Sequence, residues 1–209
     1  MKKYCIMCVD DPRKKGGIIT VINNILKNFP SEIDLIFVNL SAFNSKSSGF
    51  FESIFRANKK QTFVLTKHLN NNLYEFPTKF KELEFLRIFP TNLLNEKLKE
   101  YENIIFISGS PFLSLLTIKF SDRVTIWSPS LLLKERFLTI IISLINLRFN
   151  KYVLSAIICF PILFVIETFS IIKAKKVCMM NESYNKYVSV IRKIFSKKNS
   201  ITIYPISYE

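Results

Sequence analysis

The chain has 209 residues, of which 49% are hydrophobic and 22% charged, so it can form a core and is not a disordered segment. Four cysteines are too few for a disulfide-rich secreted scaffold, and four glycines are too few for a sandwich of many tight turns. A net charge of +14, combined with 20 phenylalanines, favours an anionic membrane surface over nucleic acid as a partner.

The chain begins with a short apolar run rather than with a signal peptide. Tyr4–Val9 follows two lysines and meets Asp10-Asp11 without a small-residue cleavage site. We therefore expect a cytoplasmic protein whose first strand begins almost at once.

Short apolar runs alternate with segments of helical period, which predicts one α/β domain, 1–209, with a parallel sheet flanked by helices. The runs are rich in Ile, Val and Phe, as expected for strands covered on both faces. The predicted strands are Tyr4–Val9, Asp34–Asn39, Thr62–Thr66, Asn103–Ser108, Arg123–Trp127, Lys176–Met180 and Ile201–Tyr204. Apolar stripes predict two helices, one carrying Ile18, Ile22, Ile25, Leu26 and Phe29, the other carrying Tyr184, Tyr187, Val188, Ile191 and Ile194.

Two further stretches are candidates for contact with a membrane. Segment 49–56 has three apolar residues on one helical face with basic residues nearby. Segment 131–172 is almost wholly apolar, but its longest uncharged part, Tyr152–Ile166, is shorter than the ~20 residues of a spanning helix. Pro161 interrupts it. We expect helices that are buried against the sheet or lie on a bilayer.

The loop between the first strand and the first helix, Asp10–Gly17, contains three basic residues and two glycines. Glycine at such a junction lets a ligand approach the backbone, and the first-turn N–H groups of the helix favour an anion. A tight turn with a solvated charge run is the alternative, since neither a dinucleotide fingerprint nor a P-loop is present. If the loop binds an anionic ligand, a side chain at position 17 would clash with the phosphate of the ligand, and a positive φ at Gly17 would also disfavour it.

Few other residues suggest chemistry. Cys5 and Cys8 form a C-x-x-C motif within a strand, whose period of two puts them on opposite faces, and no second ligand pair accompanies them. We predict inert buried cysteines and no metal site. His68 lies among asparagines in a predicted polar loop, which favours a surface residue over a catalytic base. Three carboxylates in predicted site loops are candidate bases, hydroxyl-binding groups or helix caps: Asp10, Asp11 and Glu182.

Three segments, in order, resemble the N-terminal half of the GT-B glycosyltransferases, in particular the retaining family 4 that builds surface polysaccharides. Gly16–Val21 is similar to the family's glycine-glycine opening of the first helix. Ala174–Ser183 is similar to its "A-D-x-V-I-x-x-S-E" strand and loop, and Lys198–Pro205 to its "K-I-x-V-I-P-N-G" junction. The resemblance spans nearly the whole chain.

Three features depart from the family pattern. Thr125–Ser130 lacks the histidine that the family usually has there, and Ile206-Ser207 replace the "N-G" after the junction proline. The chain ends at Glu209, where the family's second domain would begin. We therefore expect the donor-binding C-terminal domain to be absent. Either the gene is truncated, or a separate donor-binding chain completes the enzyme.

The resemblance implies a Rossmann-like half of a GT-B architecture that transfers sugar from a nucleotide-sugar to a glycan or lipid-linked acceptor, without metal or another cofactor. It would act peripherally on the inner face of the membrane. The implied substrate-binding residues are Gly16, Gly17, Ser110, Ser128 and Glu182; no catalytic residue is assigned. A non-catalytic, membrane-associated domain that binds a glycan or lipid is the alternative. Nucleic acid is disfavoured because the lysines are scattered and no recognition-helix signature is present.

Overall fold

A computed structural model describes residues 2–9, 11–28, 33–39, 63–77, 91–107, 115–147, 151–195 and 200–202. The strands are β1 (Lys2–Cys8), β2 (Ile33–Asn39), β3 (Val64–His68), β4 (Asn71–Pro77), β5 (Tyr101–Ile107), β6 (Val124–Ser128), β7 (Lys176–Met179) and β8 (Ser200–Thr202). The helices are α1 (Gly17–Asn28), α2 (Asn92–Lys99), α3 (Leu115–Lys119), α4 (Leu132–Ile145), α5 (Lys151–Lys173) and α6 (Glu182–Ile194). Segment 49–56, a candidate for membrane contact, lies outside the described residues.

Within the described residues, the strands form one sheet in the order β3-β4-β2-β1-β5-β6-β7-β8. Neighbouring strands are parallel except for the antiparallel pair β3–β4. Without the two edge strands, the order is that of a doubly wound Rossmann sheet, in which the chain leaves β1 and β5 in opposite directions. The predicted α/β fold with a Rossmann-like sheet is confirmed.

A buried apolar cluster lies on each face of the sheet. On one face, Ile22 and Leu26 of α1 pack against β1 and β2. The other face is covered by residues of α2, α3, α5 and α6. Cys5 belongs to the second cluster and Cys8 to the first, so their predicted placement on opposite faces is confirmed.

Each predicted strand has a counterpart among the described residues, but one strand was missed. β4 pairs with β3 through a tight turn at Leu69 and Asn70, both of which have positive φ (47° and 66°). The prediction that His68 lies in a loop is therefore wrong, because it is the last residue of β3.

Both predicted helices exist, but the second, α6, packs only part of its predicted stripe against the core: Tyr184, Val188 and Ile191. Val188 is fully buried, whereas Tyr187 and Ile194 are 41% and 70% exposed. Arg192 takes the buried position of the next turn, where its guanidinium donates to the carbonyls of three residues at the end of α5: Ile171 (2.6 Å), Ala174 (2.9 Å) and Lys175 (3.3 Å). A cation at the negative end of a helix is electrostatically favourable, so Arg192 ties α6 to α5.

Segment 131–172 forms α4 and α5, which pack against each other and which we call the apolar hairpin. Pro161 lies inside α5, so the expected interruption there is wrong. At 23 residues, α5 is about 34 Å long, about twice the length of the neighbouring strands. Ile171, near its C-terminal end, joins the main core, whereas Leu163 packs with Leu133, just after β6. The part of α5 before Leu163 therefore extends beyond the carboxyl ends of the strands.

The apolar hairpin exposes many large hydrophobic side chains. Ile145 is 75% exposed and Leu147, just after α4, is 81% exposed. Further exposed members are Phe137, Leu138, Ile142, Leu144, Ile157, Ile158, Ile162, Phe164, Val165 and Phe169. The window Ala156–Lys173, with a mean hydropathy of 2.1, is long and apolar enough to cross a membrane. However, 33% of this window is buried inside the protein, and core helices of soluble proteins meet the same criteria.

Candidate functional site

The candidate site lies at the carboxyl ends of β1 and β5, which are neighbours in the sheet. The connection after β1 leads to β2 on one side, and the connection after β5 leads to β6 on the other side. In open α/β sheets, ligands bind in the crevice between two such diverging connections. The loop from Asp11 to Gly16 follows β1 at this edge of the sheet.

The two glycines of this loop leave space at the N-terminus of α1. The first helical bond runs from the Thr20 N–H to the Gly16 carbonyl (2.9 Å), so the N–H groups of Gly17 and the next two residues precede the helical ladder. A Cβ at Gly17 would meet no atom within 4 Å, and one at Gly16 would make an ordinary contact of 3.7 Å with Ile19. Neither glycine has positive φ, so the expected backbone restriction at Gly17 is wrong. The space in front of Gly17 is open.

Arg13 fastens the same loop to the sheet. Its guanidinium donates to Asp11 (2.8 Å and 3.1 Å) and to Glu75 of β4 (3.1 Å). Partial burial would raise the pKa of Asp11, but the hydrogen bonds and charge of Arg13 hold that pKa below its ordinary value. Arg13 therefore pairs with two carboxylates, and the other exposed cations of the loop are Lys14 and Lys15.

The other predicted site residues do not converge on this crevice in the described part of the chain. Ser128 ends β6, is fully buried, and its hydroxyl donates to the Ser130 carbonyl at 2.8 Å. Glu182 is the first residue of α6, where it is exposed and pairs with Lys186 at 3.2 Å. Asn181 caps that helix by accepting from the Ser183 N–H. The remaining two, Asp10 and Ser110, lie outside the described residues.

The one histidine, His68, forms a hydrogen bond with α1 and not with a residue of the crevice. Its Nε2 lies 2.9 Å from Oδ1 of Asn23, and because an amide oxygen only accepts, the Nε2 of His68 carries the proton. Burial lowers the pKa of His68 below its ordinary value. The neutral ring thus joins the β3–β4 hairpin to α1.

No described group of three His, Cys, Asp or Glu side chains is arranged to hold a metal ion. Burial raises the pKa of the Cys5 thiol well above its ordinary value, and the nearby Asp34 adds to this shift. A buried thiol with a raised pKa is a poor nucleophile and a poor metal ligand.

A pocket that the sequence did not predict lies between α4, α5 and α6. Its volume is about 360 Å³, and most of its wall is apolar or aromatic. Phe137 and Phe160 face each other across the helical pair with ring centroids 6.1 Å apart. Its lining residues are Leu131, Leu133, Lys134, Phe137, Phe160, Glu167, Ser183, Tyr184 and Tyr187.

Glu167 is the polar group at the inner side of this pocket. It is only 1% exposed, and its Oε2 accepts from the Leu133 N–H in the first turn of α4 (3.0 Å). The N-cap residue of α4, Leu131, makes no side-chain cap, so Glu167 supplies that cap and its charge favours the helix dipole. Burial, and then the charge of Glu167, raise the pKa of Tyr187. The sequence alone could have drawn attention to Glu167, because it is the one charged residue between Tyr152 and Ile172.

Comparisons with protein-family models, with curated proteins and with solved structures give no match for this chain. Its function must therefore be inferred from its own residues and their geometry.

Proposed function

We propose that this chain is the acceptor-side domain of a GT-B glycosyltransferase that works at an anionic membrane surface. The reaction is transfer of a sugar from a nucleotide-sugar to a glycan or lipid-linked acceptor, with a donor-binding chain or domain completing the enzyme. One observation carries the proposal: the apolar hairpin extends beyond the same edge of the sheet at which the crevice opens. A bilayer in contact with the hairpin would present its headgroups to the crevice.

The crevice has the chemistry for a phosphorylated ligand. The N-terminus of α1 points N–H groups at the space in front of Gly17, and Lys14 and Lys15 add exposed positive charge to the same loop. Transfer from a nucleotide-sugar depends largely on positioning the reactants and on stabilising the departing phosphate. We assign no catalytic base.

The hairpin fits docking on a bilayer better than spanning it. Glu167, Ser170 and Ile171 in the second half of α5 are buried inside the domain at 1% exposure or less. A spanning α5 would separate these residues from their contacts and place the Glu167 carboxylate in hydrocarbon, which is costly. The exposed apolar side chains of the hairpin would instead enter the bilayer interface, while basic residues contribute about 1 kcal/mol each near an anionic surface.

The experiment fills the crevice with a large side chain at position 17. Gly17→Phe meets no protein atom at its Cβ and exchanges a poor helix former for a better one, so the melting temperature should stay within a few degrees of wild type. The aromatic ring would occupy the open space of the crevice. Membranes from the cells in which this chain is native would also contain the donor-binding chain. They should incorporate labelled sugar from a nucleotide-sugar into extractable lipid, and Gly17→Phe should abolish this incorporation.

The matched control is Lys27→Phe, at the exposed C-terminal end of the same helix, which should incorporate sugar as wild type does. Incorporation by Gly17→Phe at the wild-type level would contradict the placement of the acceptor site. A wild-type chain that binds membranes but gives no incorporation above membranes without it would support the non-catalytic, lipid- or glycan-binding domain instead.

A further inference from the structure

We propose that the pocket between α4, α5 and α6 binds one alkyl or prenyl chain of a membrane amphiphile. The inference rests on the proposed docking of the apolar hairpin on a bilayer, which supplies the chain. The crevice residues would bind the phosphorylated part of the ligand, and the pocket would bind its apolar chain.

The size and lining of the pocket suit a single apolar chain. Its volume of about 360 Å³ lies at the lower end of the range for small-molecule sites, and such sites are mostly apolar with few polar groups. Phe137, Phe160, Tyr184 and Tyr187 supply aromatic surface on three helices. Burying a methylene group there would gain about 0.8 kcal/mol.

The pocket is continuous with the surface that would meet the bilayer. Phe137 lines the pocket and is also 50% exposed among the apolar side chains of the hairpin. Tyr187, on the opposite wall, is 41% exposed. A chain could therefore pass from the bilayer into the pocket along apolar surface, without first entering water.

The charged groups of the pocket determine which end of the ligand enters first. Glu167 is buried and its carboxylate holds the first turn of α4, so the inner end repels an anionic headgroup. Lys134 and Ser183 are exposed at the opening, with the Lys134 ammonium 4.7 Å from the ring centroid of Tyr184. A chain with a phosphate head would bind with its chain inward and its phosphate beside Lys134.

The test uses 11-(dansylamino)undecanoic acid, whose emission rises in apolar surroundings, with the whole chain in lipid-free solution. We expect saturable binding of one probe per chain. Ser183→Phe adds a ring at the pocket wall, and its exposed position on α6 should tolerate it; we expect at least about tenfold weaker binding of the probe, or about 1.4 kcal/mol. Val190→Phe adds bulk to the same helix at a 59% exposed position outside the pocket and should bind as wild type does.

Absence of saturable binding to the wild type, or wild-type affinity in Ser183→Phe, would overturn the proposal. Equal weakening by both variants would also overturn it, because the effect would then not belong to the pocket. Sedimentation of the same variants with anionic vesicles reports separately on docking: Ser183→Phe should still bind vesicles through the hairpin. A wild-type chain that binds the probe but not vesicles would refute the docking and leave the apolar site standing.

Discussion

Leu147 gives a variant that separates folding from membrane binding. It follows Asn146, the C-cap of α4, and its N–H donates to the Leu144 carbonyl at 3.2 Å. Its φ of 50° is left-handed, a conformation that favours glycine at this position after a helix and costs other residues roughly 1–2 kcal/mol. The leucine is also 81% exposed, so its side chain does nothing for the core.

Leu147→Gly should therefore fold as well as wild type and bind membranes less tightly. Relief of roughly 1–2 kcal/mol of backbone strain is offset by about 0.4–1 kcal/mol of greater freedom in the unfolded chain, so the free energy of unfolding should stay the same or rise by up to about 1.6 kcal/mol. Transfer of a leucine side chain from water gains about 2 kcal/mol, and four-fifths of that is about 1.6 kcal/mol. Vesicle affinity should fall by about tenfold.

The assay pairs urea unfolding with sedimentation against vesicles that contain phosphatidylglycerol. Leu69→Gly is the matched control, because Leu69 also has positive φ (47°) and is 43% exposed, but it lies in the β3–β4 turn at the opposite edge of the sheet. It should leave vesicle binding unchanged. Wild-type affinity in Leu147→Gly, or an equal loss in both variants, would refute the role of the hairpin tip.

Three further predictions concern stability and charge. Arg192→Met should lower the free energy of unfolding, measured in urea, by about 3 kcal/mol, because three carbonyls in and just after the last turn of α5 lose a buried cationic donor. The exposed Lys193→Met should cost less than about 0.5 kcal/mol. Similar costs for the two variants would contradict the tie between α5 and α6. Because the pKa of Asp11 is lowered in the folded protein, its carboxylate stabilises the fold at pH values above the ordinary pKa of 3.8, and this stability is lost as the pH falls through the lowered pKa. Arg13→Gln should therefore flatten the acid end of the profile of stability against pH. An unchanged profile would contradict the stabilising contact between Arg13 and Asp11. Binding to anionic vesicles should weaken as salt is raised, and equal binding to neutral vesicles would argue against an electrostatic contribution.

The parallel strands other than β4 were predictable because they are short apolar runs, as expected for strands inside a sheet. β1, β2 and β5 contribute buried residues to the clusters on both faces, and the sequences of these strands are mostly apolar. The fold class follows from the order of these runs along the chain.

The elements that were missed depend on contacts between distant residues. β4 begins with Asn71 and Asn72, and the second is acceptable within the sheet because its amide donates to the buried Asp34 at 3.1 Å. The turn before it has Leu69 at a position that usually holds Asn or Gly, which conceals the hairpin. The buried position of Arg192 depends on the end of α5, which is 17 to 21 residues away.

The candidate site was predictable only in part, for the same reason. The Gly16-Gly17 junction was visible as a strand–loop–helix pattern, and it lies at the crevice. The salt bridge from Arg13 to Glu75 joins residues 62 positions apart, so it could not be predicted from the loop alone. The pocket requires three helices to meet, and Glu167 was its one local signal.

An environment-sensitive nitrobenzoxadiazole label can show whether the carboxyl edge of the sheet faces a bilayer. The label is attached to a single introduced cysteine in a Cys159→Ser chain, since the other cysteines are buried. One position is Ile145, near the end of the hairpin, and the other is Lys99, at the end of α2 beside the amino edge of the sheet. With anionic vesicles, emission from position 145 should shift to shorter wavelength and be quenched by spin-labelled lipid, while position 99 should show neither effect. A response at position 99 equal to or greater than that at position 145, or no response at either, would show that the carboxyl edge does not face the bilayer.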